Sequence, residues 1–441
     1  MERDGPSLPA RVDVVVIGGG IVGACTALEL AKRGRSVALI EKGDIGAEQS
    51  GRNWGWCRTM GRDPAEVPLS LLATQRWREL QAEIGTDLGY RQAGTLYLAA
   101  TPQAQRAHVL WLDSVRGQPV DTRLLDGDEV AALLPGLSGR WAGGLHTPSD
   151  GRAEPGLAAG AIAAAAGRAG VRVLSGCAAR GLEVSSGRLS AVVTERGAIA
   201  CGSVVVAGGA FSRLFCRTFG LSLPQLRVNS AAARTEPVHE GPLADGPEIA
   251  VGGPDFAFRR RLDGGYTFAR RGLATHEIVP DSFALLRRFL PTLRSSKDTI
   301  RLRLGRGFAT AWQDGRRPRR TGVSVFERQR LLDPGPNPGE IDSAWSNLIR
   351  AYPDFSGTRI AESWSGVIDV TPDALPIIST IAELEGVVIA TGFSGHGFGV
   401  APGTAMLVAD LVTGATPVVD PSPFALARFG ATLRSPSRAD N

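Results

Sequence analysis

The chain has 441 residues, more than one hydrophobic core ordinarily organises, so two sequential or interleaved domains are expected. Hydrophobic content of 43% and charged content of 21% are those of a globular protein rather than a disordered one, and no apolar run approaches the length of a membrane-spanning helix. The net charge of +5 comes from arginine, since Lys32, Lys42 and Lys297 are the only lysines, and this looks like a coding preference rather than a nucleic-acid footprint.

The N-terminal MERDGPSLPAR is polar and contains prolines, unlike a signal peptide. Val12 to Ile17 is a β-branched apolar run, as a strand buried on both faces requires. GGGIVG follows, then a helix over Ala24–Arg33 stopped at Gly34, then a strand over Ser36–Ile40 that ends at Glu41. The unit is β–α–β. Gly18, Gly20 and Gly23 stand at the spacing that makes a tight turn, admits a pyrophosphate to the backbone and packs helix on strand. Ile21 and Val22 open the helix, whose free N–H groups attract phosphate. Glu41 is placed to accept hydrogen bonds from ribose hydroxyls, with Lys42 beside it. The unit binds an adenine dinucleotide.

Residues 46–62, GAEQSGRNWGWCRTMGR, carry two tryptophans and three arginines, more than a plain connector needs. A helix over 66–84, a strand over Thr95–Ala100 and a helix near 102–116 follow. TPSDGRAEPG leads into an Ala-rich helix, Val171–Leu174 returns as a strand, and residues 188–206 alternate like a hairpin before a second glycine turn at Gly208 and Gly209. Residues 221–330 read as strands with a turn at Asp263–Gly265 and a helix near 281–290. Arg316, Arg317, Arg319 and Arg320 form a basic run, read as a solvated loop before an acidic partner or membrane surface. A Pro/Gly loop over 333–339 and a helix over 341–350 lead to WSGVIDVTPDALPIIS and TGFSGHGFGVAPGTA, a third strand–glycine–helix feature. Three such features favour FAD, an extended cofactor, over NAD. Cys25, Cys57, Cys177, Cys201 and Cys216 show no CxxC spacing, so neither a zinc site nor a disulfide framework is expected, and the thiols fit a reduced, cytoplasmic protein.

The stretches VDVVVIGGGIVGACTALELAKRG, EKGDIGAEQSGRNWGWCR, VVVAGGAFS, WSGVIDVTPDALPII and GFSGHGFGVAPGTA, in this order, resemble the D-amino acid oxidase superfamily in its glycine oxidase and sarcosine oxidase branch. The resemblance implies an α/β fold: a Rossmann-like FAD domain of discontinuous segments (12–90, 147–222 and 359–430) and a mainly antiparallel α+β substrate domain (91–146 and 223–358). Residues 1–11 and 431–441 are expected as flexible tails. It further implies that the backbone at Ala179 meets the adenine, and that Ala207, Gly208 and Gly209 lie near the diphosphate. Ser50, Gly51, Arg52, Asn53, Trp54, Gly55 and Trp56 would run beside the flavin. Gly392, Phe393, Ser394, Gly395, His396, Gly397, Phe398 and Gly399 would form the turn at its pyrimidine end.

Departures from that branch matter. Its flavin-linking cysteine before TPD is absent from Gly366–Asp369, so the FAD is expected to be non-covalent. Its carboxylate-binding lysine falls at Gly399. Its oxygen-associated lysine falls near Thr267. Arg58 is the candidate carboxylate clamp or a structural arginine. His396 either hydrogen-bonds near the flavin or only shapes its turn. Tyr266 and Arg270 lie on a strand that would face the substrate, or pack in the sheet. Trp54 and Trp56 form an aromatic wall or core.

The function implied is oxidation of the carbon–nitrogen bond of an amino acid or secondary amine by hydride transfer to flavin N5, giving an imine that hydrolyses. Oxygen or another carrier would take the electrons, and a homo-oligomer or a complex subunit is compatible. An amine or opine dehydrogenase is the alternative enzyme; a non-catalytic flavin-binding protein is the alternative from another class. No nucleic-acid partner and no metal are expected.

Overall fold

The computed structural model describes residues 7–305, 307–316 and 322–430. Both predicted tails, except residues 7–11, lie outside these, as do Arg317, Arg319 and Arg320 and the side chain of Arg316.

One layer is a six-stranded sheet in the order Ile377–Thr380, Val387–Thr391, Ser203–Val206, Val14–Ile17, Val37–Ile40 and Arg172–Leu174. All neighbours pair in parallel except the edge strand Ile377–Thr380. Its central strands are apolar throughout because both faces are covered. Val14 and Val16 enter a core with the helices Ile21–Lys32, Val67–Ile84, Pro155–Arg168 and Gly397–Thr413. Val15 and Ile17 enter another, with the three-stranded sheet Ala179–Ser185, Arg188–Thr194 and Gly197–Ala200. Strands from early and late in the chain, Val14–Ile17 and Val387–Thr391, therefore flank Ser203–Val206 in one sheet.

The second layer is a ten-stranded, mainly antiparallel sheet drawn from 95–147, 226–303 and 360–370. Its spine is Leu226–Thr235, paired antiparallel with Ile360–Val370 along almost its whole length. The sequence reading placed 359–430 wholly in the cofactor domain; its first strand instead belongs to this sheet. Helix Pro338–Ala351 covers one face through Ile341, Ala344 and Leu348. Two helices, Pro280–Ala284 and Leu286–Ser295, stand where one was expected, and Gly307–Arg316 is an unanticipated helix.

A buried ion pair joins the layers. Arg259, on a strand of the large sheet, holds Glu154 through two hydrogen bonds of 2.7 and 3.1 Å, and its Nε–H donates to the carbonyl of Trp54. Arg259 is 1% exposed. Bidentate geometry is what makes so buried a pair tolerable.

Candidate active site

At the end of Val14–Ile17 the chain turns so tightly that only glycine fits. Gly18 has φ +109°, and a Cβ there would stand 2.3 Å from the carbonyl oxygen of Ala207. A Cβ on Gly23 would stand 1.9 Å from that of Gly18. The first glycine thus abuts the second glycine turn, and the third locks helix to loop. Helix Ile21–Lys32 starts at Gly20 with no side-chain cap; Ile21 N–H donates to Ser50 Oγ at 2.8 Å. Glu41 receives the N–H groups of Gly19 and Gly43 at 2.7 and 2.8 Å. Burial raises its pKa, with those two donors opposing the shift.

These residues border one long cleft. Gly18, Gly20, Ile21, Val22, Glu41, Lys42, Ser50 and Asn53 line it, and so do Ala179, Ala207, Gly208, Gly209, Phe393, Gly395, Gly397 and Phe398. The sequence singled out all of them. Gly23, Gly51, Gly55 and Gly392 serve the backbone behind the wall. A Cβ on Gly51 would meet the carbonyl of Gly46, one on Gly55 that of Ala153, and one on Gly392 the side chain of Thr371. The cleft suits FAD on its own evidence: it is bordered by the Glu41 carboxylate, by the start of helix Ile21–Lys32, and by Gln49, whose Oε1 is buried and without a partner among the described residues. Among the described residues Cys177 is the one cysteine on its lining.

The two C-terminal motifs explain each other. Asp369, from WSGVIDVTPD, accepts from Gly392 N–H at 2.7 Å and from Gln225 Nε2 at 2.8 Å, and its carbonyl accepts from Ser394 N–H at 2.9 Å. Gly392 and Ser394 both have positive φ, +72° and +52°. The carboxylate pins a turn the backbone would not otherwise favour.

A second cavity of about 360 Å³ opens from the same turn. It shares Gln49, Asn53, Gly395 and Phe398 with the cofactor cleft, so the two meet there. Arg52, Trp54, Trp56, Arg58, Arg270, Ser394 and His396, all expected from the sequence, line it. Arg62 and Tyr97, which the sequence did not single out, join them. Apolar residues such as Leu273, Ile300 and Ile368 complete the wall, and among the described residues no carboxylate lines it. Tyr266 is elsewhere: it is fully buried, packs on Phe355 in the core under helix Pro338–Ala351, and donates its hydroxyl to the Leu243 carbonyl at 3.0 Å. Thr267 is also buried and outside the cavity. Gly399 sits behind the wall, where a Cβ would be 2.8 Å from the carbonyl of Trp56, so a long side chain has no room there.

Asp150 shapes the arginine-bearing wall by accepting from Thr59 N–H at 2.6 Å and Met60 N–H at 3.3 Å. Burial pushes its pKa up to about 6. Arg58 donates to the Met60 carbonyl and lies 5.4 Å from the Tyr97 ring centre. Arg62 is 3% exposed and its Nη1 has no partner among the described residues; burial, then Arg58, lowers its pKa to about 10. Arg270 donates to Ser343, and its Nε has no partner among the described residues.

His396 reaches from the glycine turn to Glu66, Nδ1 to Oε2, at 3.1 Å. Glu66 is fully buried at the start of helix Val67–Ile84. Burial works against its ionisation, but His396 and Arg62 outweigh it and hold the carboxyl at about 2. Burial and then Arg62 hold His396 below its ordinary value. At pH 7 the pair is therefore carboxylate and neutral imidazole.

Residues 13–411 match the family model described as DAO, FAD dependent oxidoreductase. The chain is 28% identical to a glycine oxidase of Geobacillus kaustophilus over 95% of its own length and 97% of that protein. Among solved structures, an L-amino acid deaminase from Proteus myxofaciens in complex with anthranilate superposes with a TM-score of 0.91 at 33% identity, covering 97% of this chain and 96% of that one. An L-proline dehydrogenase from P. horikoshii superposes with a TM-score of 0.77 at 25% identity, covering 97% and 100%.

Proposed function

The chain belongs to the DAO family of FAD-dependent oxidoreductases, and from that premise we propose that it oxidises the carbon–nitrogen bond of an amino acid. The observation that carries the reading is the arginine-lined cavity meeting the cofactor cleft at Gln49, Asn53, Gly395 and Phe398. FAD supplies a two-electron acceptor for the hydride. The chain supplies orientation, charge and a water-poor pocket. Arg58 and Arg62 attract the substrate carboxylate, with the unspent donor of Arg62 satisfied by it. Trp54, Trp56 and Tyr97 with Leu273 and Ile300 accommodate an apolar or aromatic side chain. Loss of hydride from the carbon next to nitrogen leaves an imine, which water hydrolyses. The Proteus deaminase and the Geobacillus glycine oxidase support this substrate class.

The absence of a lysine from the residues lining the cavity favours, as a second reading, an electron acceptor other than oxygen. Five unpaired, buried cysteines support a cytoplasmic setting, and among the described residues no helix is long and apolar enough to cross a membrane. The test is anaerobic mixing of the yellow protein with D-, L- and N-methyl amino acids and simple amines, followed by admission of oxygen. We expect carboxylate-bearing substrates to bleach the flavin and oxygen to restore it slowly. If none bleaches it, a non-catalytic flavoprotein stands instead.

A further inference from the structure

We propose that His396 takes the proton from the substrate's ammonium group and that Glu66 is the positioning residue that aims it. The inference rests on the amino-acid reading above. Hydride can leave only from the neutral amine, because the nitrogen lone pair must push into the forming C=N bond. An amino acid at neutral pH arrives as the ammonium, so one proton must go somewhere.

The cavity offers few acceptors. Its titratable residues are Arg52, Arg58, Arg62, Arg270, Tyr97 and His396. Guanidiniums stay protonated and a phenol is protonated at neutral pH, which leaves the imidazole. Glu66 determines which nitrogen is presented. A carboxylate only accepts hydrogen bonds, so Nδ1 carries the hydrogen and Nε2 the lone pair. Among the described residues Nε2 has no hydrogen-bond partner, and the ring lines the cavity. Among the described residues Glu66 spends Oε2 on His396 alone, and its Oε1 is buried without a partner. A fully buried carboxylate so placed is costly, and fixing a tautomer gives it a task.

In the step, the ammonium N–H bond breaks as an Nε2–H bond forms, and the new imidazolium charge faces the Glu66 carboxylate. The nitrogen lone pair would then close C=N as the carbon–hydrogen bond breaks with both electrons, for which FAD held in the cleft would supply the acceptor. The arginines help. Several fixed positive charges with no carboxylate on the lining lower the ammonium's own pKa, while Glu66 on the other nitrogen partly offsets their effect on the imidazole. The charged groups facing His396 are Glu66, Arg62 and Arg58.

The test uses FAD-loaded protein and two readouts. In ¹⁵N spectra of histidine-labelled protein, which has five histidines, His396 should show the Nδ1–H tautomer. Glu66→Gln should lose that preference. In anaerobic flavin reduction against pH, wild type should gain rate as His396 deprotonates. Glu66→Gln should fall by about tenfold at pH 7, with its acid limb shifted to lower pH because the carboxylate that favours the imidazolium is gone. His396→Asn should fall by about a hundredfold with ordinary amino acids. It should fall far less with a fluorinated analogue whose ammonium ionises at much lower pH. Equal losses for both substrates, or an Nε2–H tautomer in wild type, would overturn the proposal. Should Glu66→Gln not retain FAD, the tautomer of wild type and the substrate comparison in His396→Asn decide it. If no amine reduces wild type, it is the amino-acid reading that fails, while the tautomer stands as measured.

Discussion

Arg62 and Tyr266 show how single side chains divide between site and scaffold. Arg62 lines the cavity and is buried, with Nη1 lacking a hydrogen-bond partner among the described residues, a charge that a substrate carboxylate would neutralise. Arg58→Gln or Arg62→Gln should each weaken carboxylate-substrate binding by roughly 10- to 100-fold, the worth of one charge-assisted hydrogen bond, as read from the substrate dependence of flavin reduction; simple amines should be little affected. Tyr266 failed as a site residue because of the pleat. It shares its strand face with Phe268, and both point into the core beneath helix Pro338–Ala351. Arg270 escapes that alternation because the strand ends at Ala269. The sequence carries the spacing of a strand but not which face meets the cavity. Glu66 was hidden for another reason: its partner lies 330 positions away, and nothing local to a helix start announces so distant a histidine.

At the scale of elements, the glycine turns were legible because each answers a short-range steric demand. Gly18–x–Gly20–x–x–Gly23 is such a case: the clashes a Cβ would make at Gly18 and Gly23 are with backbone atoms that cannot retreat. Gly23→Ala should overpack this turn at a cost of about 1–3 kcal/mol, seen as protein purified with substoichiometric FAD and a lower Tm. The pairing of GFSGHGFG with WSGVIDVTPD was visible as two motifs but not as one device; Asp369 joins them. Asp369→Ala should release the Gly392–Ser394 turn and weaken FAD retention, measured by flavin loss on dilution, with the secondary structure intact by circular dichroism. The lysine of the sarcosine oxidase branch is missing for a steric reason at Gly399, so Gly399→Lys should perturb folding rather than restore a carboxylate contact.

Across the whole molecule, stability depends on buried charges shared between layers. Glu154→Gln leaves Arg259 buried without its anion and should cost about 3–5 kcal/mol, read as a Tm lowered in both FAD-loaded and stripped protein. Acid should unfold the protein by a definable route. Glu66 and Glu327 are held at about 2 in the folded state, Glu327 chiefly by its hydrogen bonds to Arg180. Both lie below their unfolded value, so their stabilisation is complete above about pH 4.5 and drains away as pH falls toward 2. Asp150 has the opposite sign: raised to about 6, it favours the fold only below that pH. Circular dichroism against pH should show the loss below 4.5, and Glu327→Gln should flatten part of it.

The parallel sheet sets a Val14–Ile17 strand beside Ser203–Val206 and that beside Val387–Thr391, with the turn at Gly392–Gly399 made last. During synthesis, a ribosome would have released most of the chain before the Gly392–Gly399 turn can join Gln49 and Asn53 at the junction of cleft and cavity. Cofactor capture is therefore an event of completion rather than of growth: a nascent chain stalled before residue 387 should hold no flavin, and the first arrival of FAD would report that Val387–Thr391 has joined the sheet begun by Val14–Ile17.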